Sequence, residues 1–305
     1  MNTLITDIKS LEFETLKNLR NSKSHNTLRA YQSDYKDFSL FCKKNGLSSM
    51  PTEPRILSLY LTKLSTTSKF STLKRRIASI SVIHKMKGHY LDTKHPIIME
   101  NLLGIKRVKG SHQSTKKPIL ISELKMIINV IGKLKQSNLK KIRDKALILI
   151  GFAGGFRRSE LVNLNYEDLE FVNEGIKIFI KRSKTDQSGE GMIKAIPYFE
   201  NQDFCPVLSL KNWIEISNVN KGKIFNISDK SVALIIKKYA SIAGLDSNRY
   251  AGHSLRSGFA TSAAEAGAEE RNIMSMTGHK TTQMVRRYIQ EANLFKNNAL
   301  NKIKI

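Results

Sequence analysis

Apolar residues recur at helical spacing through the first hundred positions. Leu28, Tyr31, Tyr35, Phe38 and Cys42 form one stripe, which Ser24 can cap and Gly46 can close. Pro54 opens a second helix carrying Ile56, Leu57, Tyr60, Leu61 and Leu64. A third is expected to start at Ser68 or Ser71 and to end before Gly88, and residues 97–108 read as a fourth. Residues 109–117, Lys-Gly-Ser-His-Gln-Ser-Thr-Lys-Lys, hold no apolar side chain and no period, as in a flexible linker.

Beyond Pro118 the helical period returns at 122–135 and 140–153 and then gives way to short alternating runs. Leu169 to Val172, Ile176 to Lys181 and Met192 to Ile196 read as strands, separated by Asn173-Glu174-Gly175 and by the turn-rich Ser183 to Gly191. Helices are expected again at 206–216, 230–243, 254–266, 269–276, 281–289 and 292–302. The fold class expected is therefore mainly α with a small antiparallel β-sheet. It divides into an N-terminal helical domain over 1–108, a linker over 109–117 and a second domain over 118–305. About 23 residues precede the first strong helix, too few for a further domain.

Charge changes this from a plain globular picture. The 305 residues carry 51 Lys and Arg against 26 Asp and Glu, a formal net charge of +25. The excess is +12 in residues 1–115 and +13 in residues 116–305, so both domains are expected to face one polyanion. Nucleic acid is the leading partner and an anionic membrane surface the weaker one; a merely solvated surface is the ordinary alternative. Two distant cysteines, Cys42 and Cys205, exclude a disulfide scaffold and a cysteine-rich zinc site. Asp7 and Lys9 stand where a signal peptide needs an apolar run, so an intracellular, cytoplasmic location is expected. There is no HxxxH pair, acidic triad or phosphate-binding loop, so no metal and no nucleotide cofactor are expected.

Four segments of the second domain carry candidate chemistry. They are Gly155-Phe156-Arg157-Arg158-Ser159-Glu160-Leu161, Arg182-Ser183-Lys184-Thr185, His253-Ser254-Leu255-Arg256, and Gly278-His279 followed nine residues later by Tyr288. A phosphoryl centre under attack gathers negative charge on its non-bridging oxygens, and two Arg forks can hold those oxygens bidentately where Lys cannot do so as well. Arg157 and Arg256 supply such a pair. Glu160, one helical turn on, can orient the Arg157 guanidinium. His253 lies three residues before Arg256, on the same helix face, and a histidine titrates where it can accept a proton. A phenol titrates near ~10 and needs a base and nearby cations to become a nucleophile. Ordinary alternatives stand beside each: a packing tyrosine, a core histidine, a turn lysine, a surface acid. Arg158 competes with Arg157, and Lys181, Arg182 and Lys194 compete with Lys184. In the first domain Lys74, Arg75 and Arg76 share one turn, suited to phosphate contact or to a solvated face.

Together, in order and spacing, these segments resemble the tyrosine recombinase (phage integrase) family, nearest to its simple, Cre-like members. The resemblance implies a helical core-binding domain followed by a DNA breaking-rejoining catalytic domain. It implies Tyr288 as nucleophile, a 3′-phosphotyrosyl intermediate, and Arg157, Arg256 and His279 on the phosphate. His253 and Lys184 would handle protons, with Glu160 supporting. Lys74, Arg75, Arg76, Arg158, Arg182 and Arg287 are expected to bind DNA. A homotetramer on two recombination sites is implied, joined through a C-terminal segment bearing Leu294, Phe295, Leu300 and Ile303, as is a prokaryotic, phage or mobile-element source. A type IB topoisomerase or telomere resolvase shares this chemistry, and a non-catalytic DNA-binding protein is the alternative of another class.

Overall fold

The structure is a computed structural model, and it describes residues 7–110, 116–135, 137–181, 191–293, 301 and 303. The chain divides into two compact units, Met1–Ser114 and Thr115–Ile305. Of the linker, residues 111–115 lie outside the described residues.

The first unit holds five helices: α1 (Ile8–Asn21), α2 (His25–Lys44), α3 (Pro54–Ser65), α4 (Phe70–Met86) and α5 (Pro96–Lys109). Ser24 caps α2 by accepting from the Thr27 backbone amide, and the stripe read from the sequence places Phe38 and Cys42 in the core. They pack with Leu57, Tyr60 and Leu61 of α3, Leu73 and Ile80 of α4, and Ile98 and Leu102 of α5. Two expectations change. α4 starts at Phe70, capped by Lys69 without a side-chain hydrogen bond, and neither Ser68 nor Ser71 serves as the cap. Helix α1 occupies a stretch the sequence reading left without one. Its Ile8, Leu11 and Phe13 are exposed.

The second unit runs α6 (Ile121–Lys133), α7 (Asn138–Ala153) and α8 (Arg158–Val162), then β1 (Leu169–Val172), β2 (Gly175–Ile180) and β3 (Met192–Pro197). There follow α9 (Pro206–Ser217), α10 (Asp229–Ile242), α11 (Ser254–Glu265), α12 (Glu270–Thr277) and α13 (Thr282–Asn293). The strands form one antiparallel sheet in the order β1-β2-β3, with Ile178 opposite both Leu169 and Lys194. Helix α7 is buried along most of its length, as its nearly unbroken apolar run requires, and forms the centre of the core with α6, α9, α10 and α11. The expected helix 281–289 is α13, which runs on to Asn293; of the expected helix 292–302, residues 294–300 and 302 lie outside the described residues.

Two glycines shape the ground under the site. After α7 the chain turns at Gly155 with φ +54, and after α12 it turns at Gly278 with φ +62, both in the left-handed region that glycine adopts without strain. A Cβ on Gly155 would also sit 3.1 Å from the Phe259 ring and 3.2 Å from the Thr277 methyl, so this turn packs against α11 and α12.

Candidate active site

The two glycine turns deliver the first half of the site. The turn at Gly155 sets Arg157 immediately before α8, where Glu160 is buried one turn on. The Glu160 carboxylate accepts the Arg157 backbone amide at 2.9 Å and its guanidinium Nη1 at 2.6 Å. Nη2 of the same guanidinium donates to the Gly278 carbonyl at 3.4 Å, in the turn that carries His279. Glu160 thus orients Arg157 through two bonds.

Arg256 comes from α11 and is 1% exposed, the largest side chain buried to this degree. Its Nη1 donates to the Gly155 carbonyl at 2.9 Å, while Nε and Nη2 are buried and have no hydrogen-bond partner among the described residues. Burial, and then the charge of Arg157, lower its pKa to about 10. A buried guanidinium with two unused donors is costly on its own and is ready to donate to an anion.

His253 precedes α11 and keeps an edge to solvent. Its pKa is held below the usual histidine value, first by loss of hydration and then by Arg256, Arg157 and Arg158. The imidazole is therefore neutral near pH 7, with a lone pair available. The Tyr288 hydroxyl, brought in by α13, lies 3.4 Å from His253 Nε2. That is long for a hydrogen bond, as general-base contacts often are before substrate arrives. His279 is half-buried, with Nδ1 2.8 Å from the Thr277 hydroxyl and its ring stacked toward Tyr288 at 6.0 Å between centroids. Desolvation and the cations Arg256 and Arg157 lower its pKa to about 4.

The structure thus brings Arg157, Glu160, His253, Arg256, His279 and Tyr288 together. It separates Arg158 from them: that side chain covers Gly252 and reaches toward Asp229 at 4.0 Å. Arg287 is exposed on α13. Lys184 and Arg182 lie outside the described residues. Of the competitors for Lys184, Lys181 is paired with Asp168 at 2.6 Å, and Lys194 is buried beneath the site. In the first unit Lys74 lies over the Phe70 ring at 5.3 Å. The pattern of charges there did not reveal that Arg75 and Arg76 both pair with Asp34, a carboxylate 2% exposed. Arg76 also reaches Asp37 at 3.4 Å and is only 16% exposed, so its guanidinium is committed to holding α4 against α2. Thr277 was missed as well, because its role is a contact to His279 that no motif spacing announces.

Among the described residues no group of three or more His, Cys, Asp and Glu is placed to hold a metal ion. Among the same residues no helix is long and apolar enough to cross a membrane.

Known proteins are similar to this chain in sequence and in fold. Residues 117–294 match the model of the phage integrase family, which covers the whole of the site just described. Along 99% of its length the chain is 41% identical to an integrase/recombinase XerD homolog of Selenomonas ruminantium, 92% of which is covered. It is 26% identical to a tyrosine recombinase XerC of Staphylococcus aureus over 94% of this chain and 92% of that one. In fold it is similar to the XerH site-specific recombinase in a post-cleavage complex with palindromic difH substrate, with a TM-score of 0.66 and 18% identity over 90% of this chain and 80% of that one. It is likewise similar to a lambda integrase dimer bound to a COC′ core site, with a TM-score of 0.59 and 15% identity over 96% and 78%. With a family match over more than half its length and a relative this similar end to end, the chain belongs to the phage integrase family and is a tyrosine site-specific recombinase.

Proposed function

We propose that this recombinase cleaves double-stranded DNA with Tyr288 and rejoins it by strand exchange, through a 3′-phosphotyrosyl intermediate. The observation that carries the reading is the buried Arg256, whose Nε and Nη2 have no hydrogen-bond partner among the described residues and lie in one site with Arg157, His253 and Tyr288. In this reading a non-bridging oxygen of the scissile phosphate fills those donors. Arg157 and His279 hold the phosphate beside them, and the fixed charge acts on the negative charge that develops as the bond forms. The Tyr288 oxygen attacks phosphorus and its proton passes to His253. The bond from phosphorus to the 5′ oxygen breaks, and Lys184, by the family's pattern, protonates the leaving oxygen. A 5′ hydroxyl from the partner strand then reverses these steps and frees the tyrosine, so the energy of the broken bond is kept in the phosphotyrosine. Support for DNA as the partner comes from the net charge and from relatives whose structures contain DNA. In the same reading four protomers assemble on two sites, and the segment bearing Leu294, Phe295, Leu300 and Ile303 docks on a neighbouring protomer.

The test is Tyr288→Phe on a nicked suicide substrate resolved under denaturing conditions. The variant is expected to bind its site as the wild type does, since only a hydroxyl is removed, and to form no covalent adduct. An adduct that persists moves the nucleophile to another tyrosine.

A further inference from the structure

Strand β3 places a lysine where its alternation calls for a core residue. Lys194 and Ile196 face inward while Ile193 and Ala195 face out, and Lys194 is 1% exposed. An ammonium group taken out of water is costly unless it is fully engaged. Here Nζ donates to the Gly154 carbonyl at 2.6 Å and to the Met276 carbonyl, and lies 4.7 Å from the centroid of the Phe156 ring. Both carbonyls belong to the site's scaffold. Gly154 adjoins Gly155, whose carbonyl accepts Arg256, and stands three residues before Arg157. Met276 stands two residues before Gly278, whose carbonyl accepts Arg157, and three before His279. One ammonium therefore spans the two turns that carry Arg157 and His279, from underneath, where DNA cannot reach it.

We propose that Lys194 is a positioning residue for strand cleavage: it ties the Arg157 turn to the His279 turn so that both side chains meet the scissile phosphate in register. This rests on the reading of Arg157 and His279 as phosphate ligands. The charge balance around the site fits that role. Burial lowers the Lys194 pKa to about 7, with Glu160 opposing and Arg256 and Arg157 adding to the fall. A phosphate entering the site adds negative charge beside these three cations and strengthens the protonated, three-donor form of the clamp.

The experiment compares Lys194→Met and Lys194→Gln with wild type in the full chain. It measures melting temperature, DNA affinity, and the single-turnover cleavage rate on a suicide substrate at saturating DNA. Lys194→Met is expected to bind within about threefold of wild type, since many phosphate contacts remain. Its cleavage rate at saturation is expected to fall by about 100-fold, the effect of a small misplacement of reacting groups. Lys194→Gln keeps two donors on a shorter stem and is expected to recover part of that loss. Wild-type cleavage at saturating DNA in either folded variant overturns the proposal, as does a loss that only follows weakened binding or lowered melting temperature. If Lys194→Met does not fold, Lys194→Gln decides; if neither folds, Lys194 is a folding residue and the proposal fails. Tyr288→Phe run alongside separates the two readings. An adduct in that variant overturns the assignment of the site itself. No adduct there, together with wild-type cleavage in the Lys194 variants, removes only the positioning role.

Discussion

Arg157 and Arg158 are neighbours in sequence and differ in what holds their guanidinium groups. Arg157 is held by a buried carboxylate and by the carbonyl of Gly278, whereas Arg158 lies over Gly252 with one long contact to Asp229. Arg157→Ala and Arg256→Ala are each expected to lower the cleavage rate by about 10²–10³-fold while changing DNA affinity little, because each guanidinium acts on charge that appears in the transition state. Arg158→Ala should keep most of the activity. Single-turnover cleavage of the three variants decides, and a dead Arg158→Ala beside an active Arg157→Ala would reverse the assignment. Histidine supplies a second test at this scale. In the proposed mechanism His253 must be neutral to accept the tyrosine proton, and its pKa lies below the ordinary 6.5. The decline in cleavage rate as pH falls should therefore be centred below pH 6.5. Arg158→Ala, by removing one of the charges that depress His253, should move that decline to higher pH. A pH–rate profile on the suicide substrate checks both, and a decline centred above pH 6.5 in wild type excludes a depressed His253 as the base. The residues of this site that sequence revealed are those whose meaning lies in order and spacing, such as His253 three before Arg256. Lys194 and Thr277 were not legible in the same way. Their partners are backbone carbonyls and a ring nitrogen supplied by the folded chain, although the inward register of Lys194 between Met192 and Ile196 was a usable signal.

Helices and strands were legible where one face is buried. The stripe of α2, the Pro54 start of α3 and the alternation of β2, with Ile176, Ile178 and Ile180 inside, all arise from burial on one side of a regular element. Helix α1 escaped, and its Ile8, Leu11 and Phe13 are exposed. Lys74, Arg75 and Arg76 show the opposite limit. Their composition announces a basic face, and only the packing of α4 on α2 shows two of the three turned onto Asp34. Asp34 also accepts the Ser79 hydroxyl at 2.7 Å, so one buried carboxylate gathers two guanidinium groups and a hydroxyl from α4. Removing it leaves Arg76 buried without its main counter-charge, while Arg75 keeps a path to water. Asp34→Ala is therefore expected to destabilise the first unit by about 3 kcal/mol, the low end of the cost of breaking a buried ion pair. Urea unfolding followed in that unit checks the value. A change under about 0.5 kcal/mol, the level of an ordinary surface substitution, would mean that the network holds nothing together.

At the scale of the molecule the informative quantity is where the charge sits. Each unit has its own buried core, the first around Phe38, Tyr60 and Leu73 and the second around α7, and each carries a similar excess of positive charge, +12 and +13 for residues 1–115 and 116–305. The proposed catalytic cluster of Arg157, His253, Arg256, His279 and Tyr288 lies wholly in the second unit, within residues 117–294. The charge of the first unit therefore calls for a separate explanation, and DNA contact by both units supplies one. Binding of this kind releases counterions, and the logarithm of the affinity falls with the logarithm of salt concentration by about 0.9 for each phosphate neutralised. If both units touch the backbone, a fragment spanning residues 115–305 should bind the same DNA more weakly and with a slope shallower by several such steps than the full chain. The committed Arg76 should contribute little to that difference, whereas the exposed cations of the first unit should contribute most. Fluorescence anisotropy of a labelled site across a salt series measures both slopes. Equal slopes would assign all phosphate contacts to the second unit and leave the charge of the first without a nucleic-acid role.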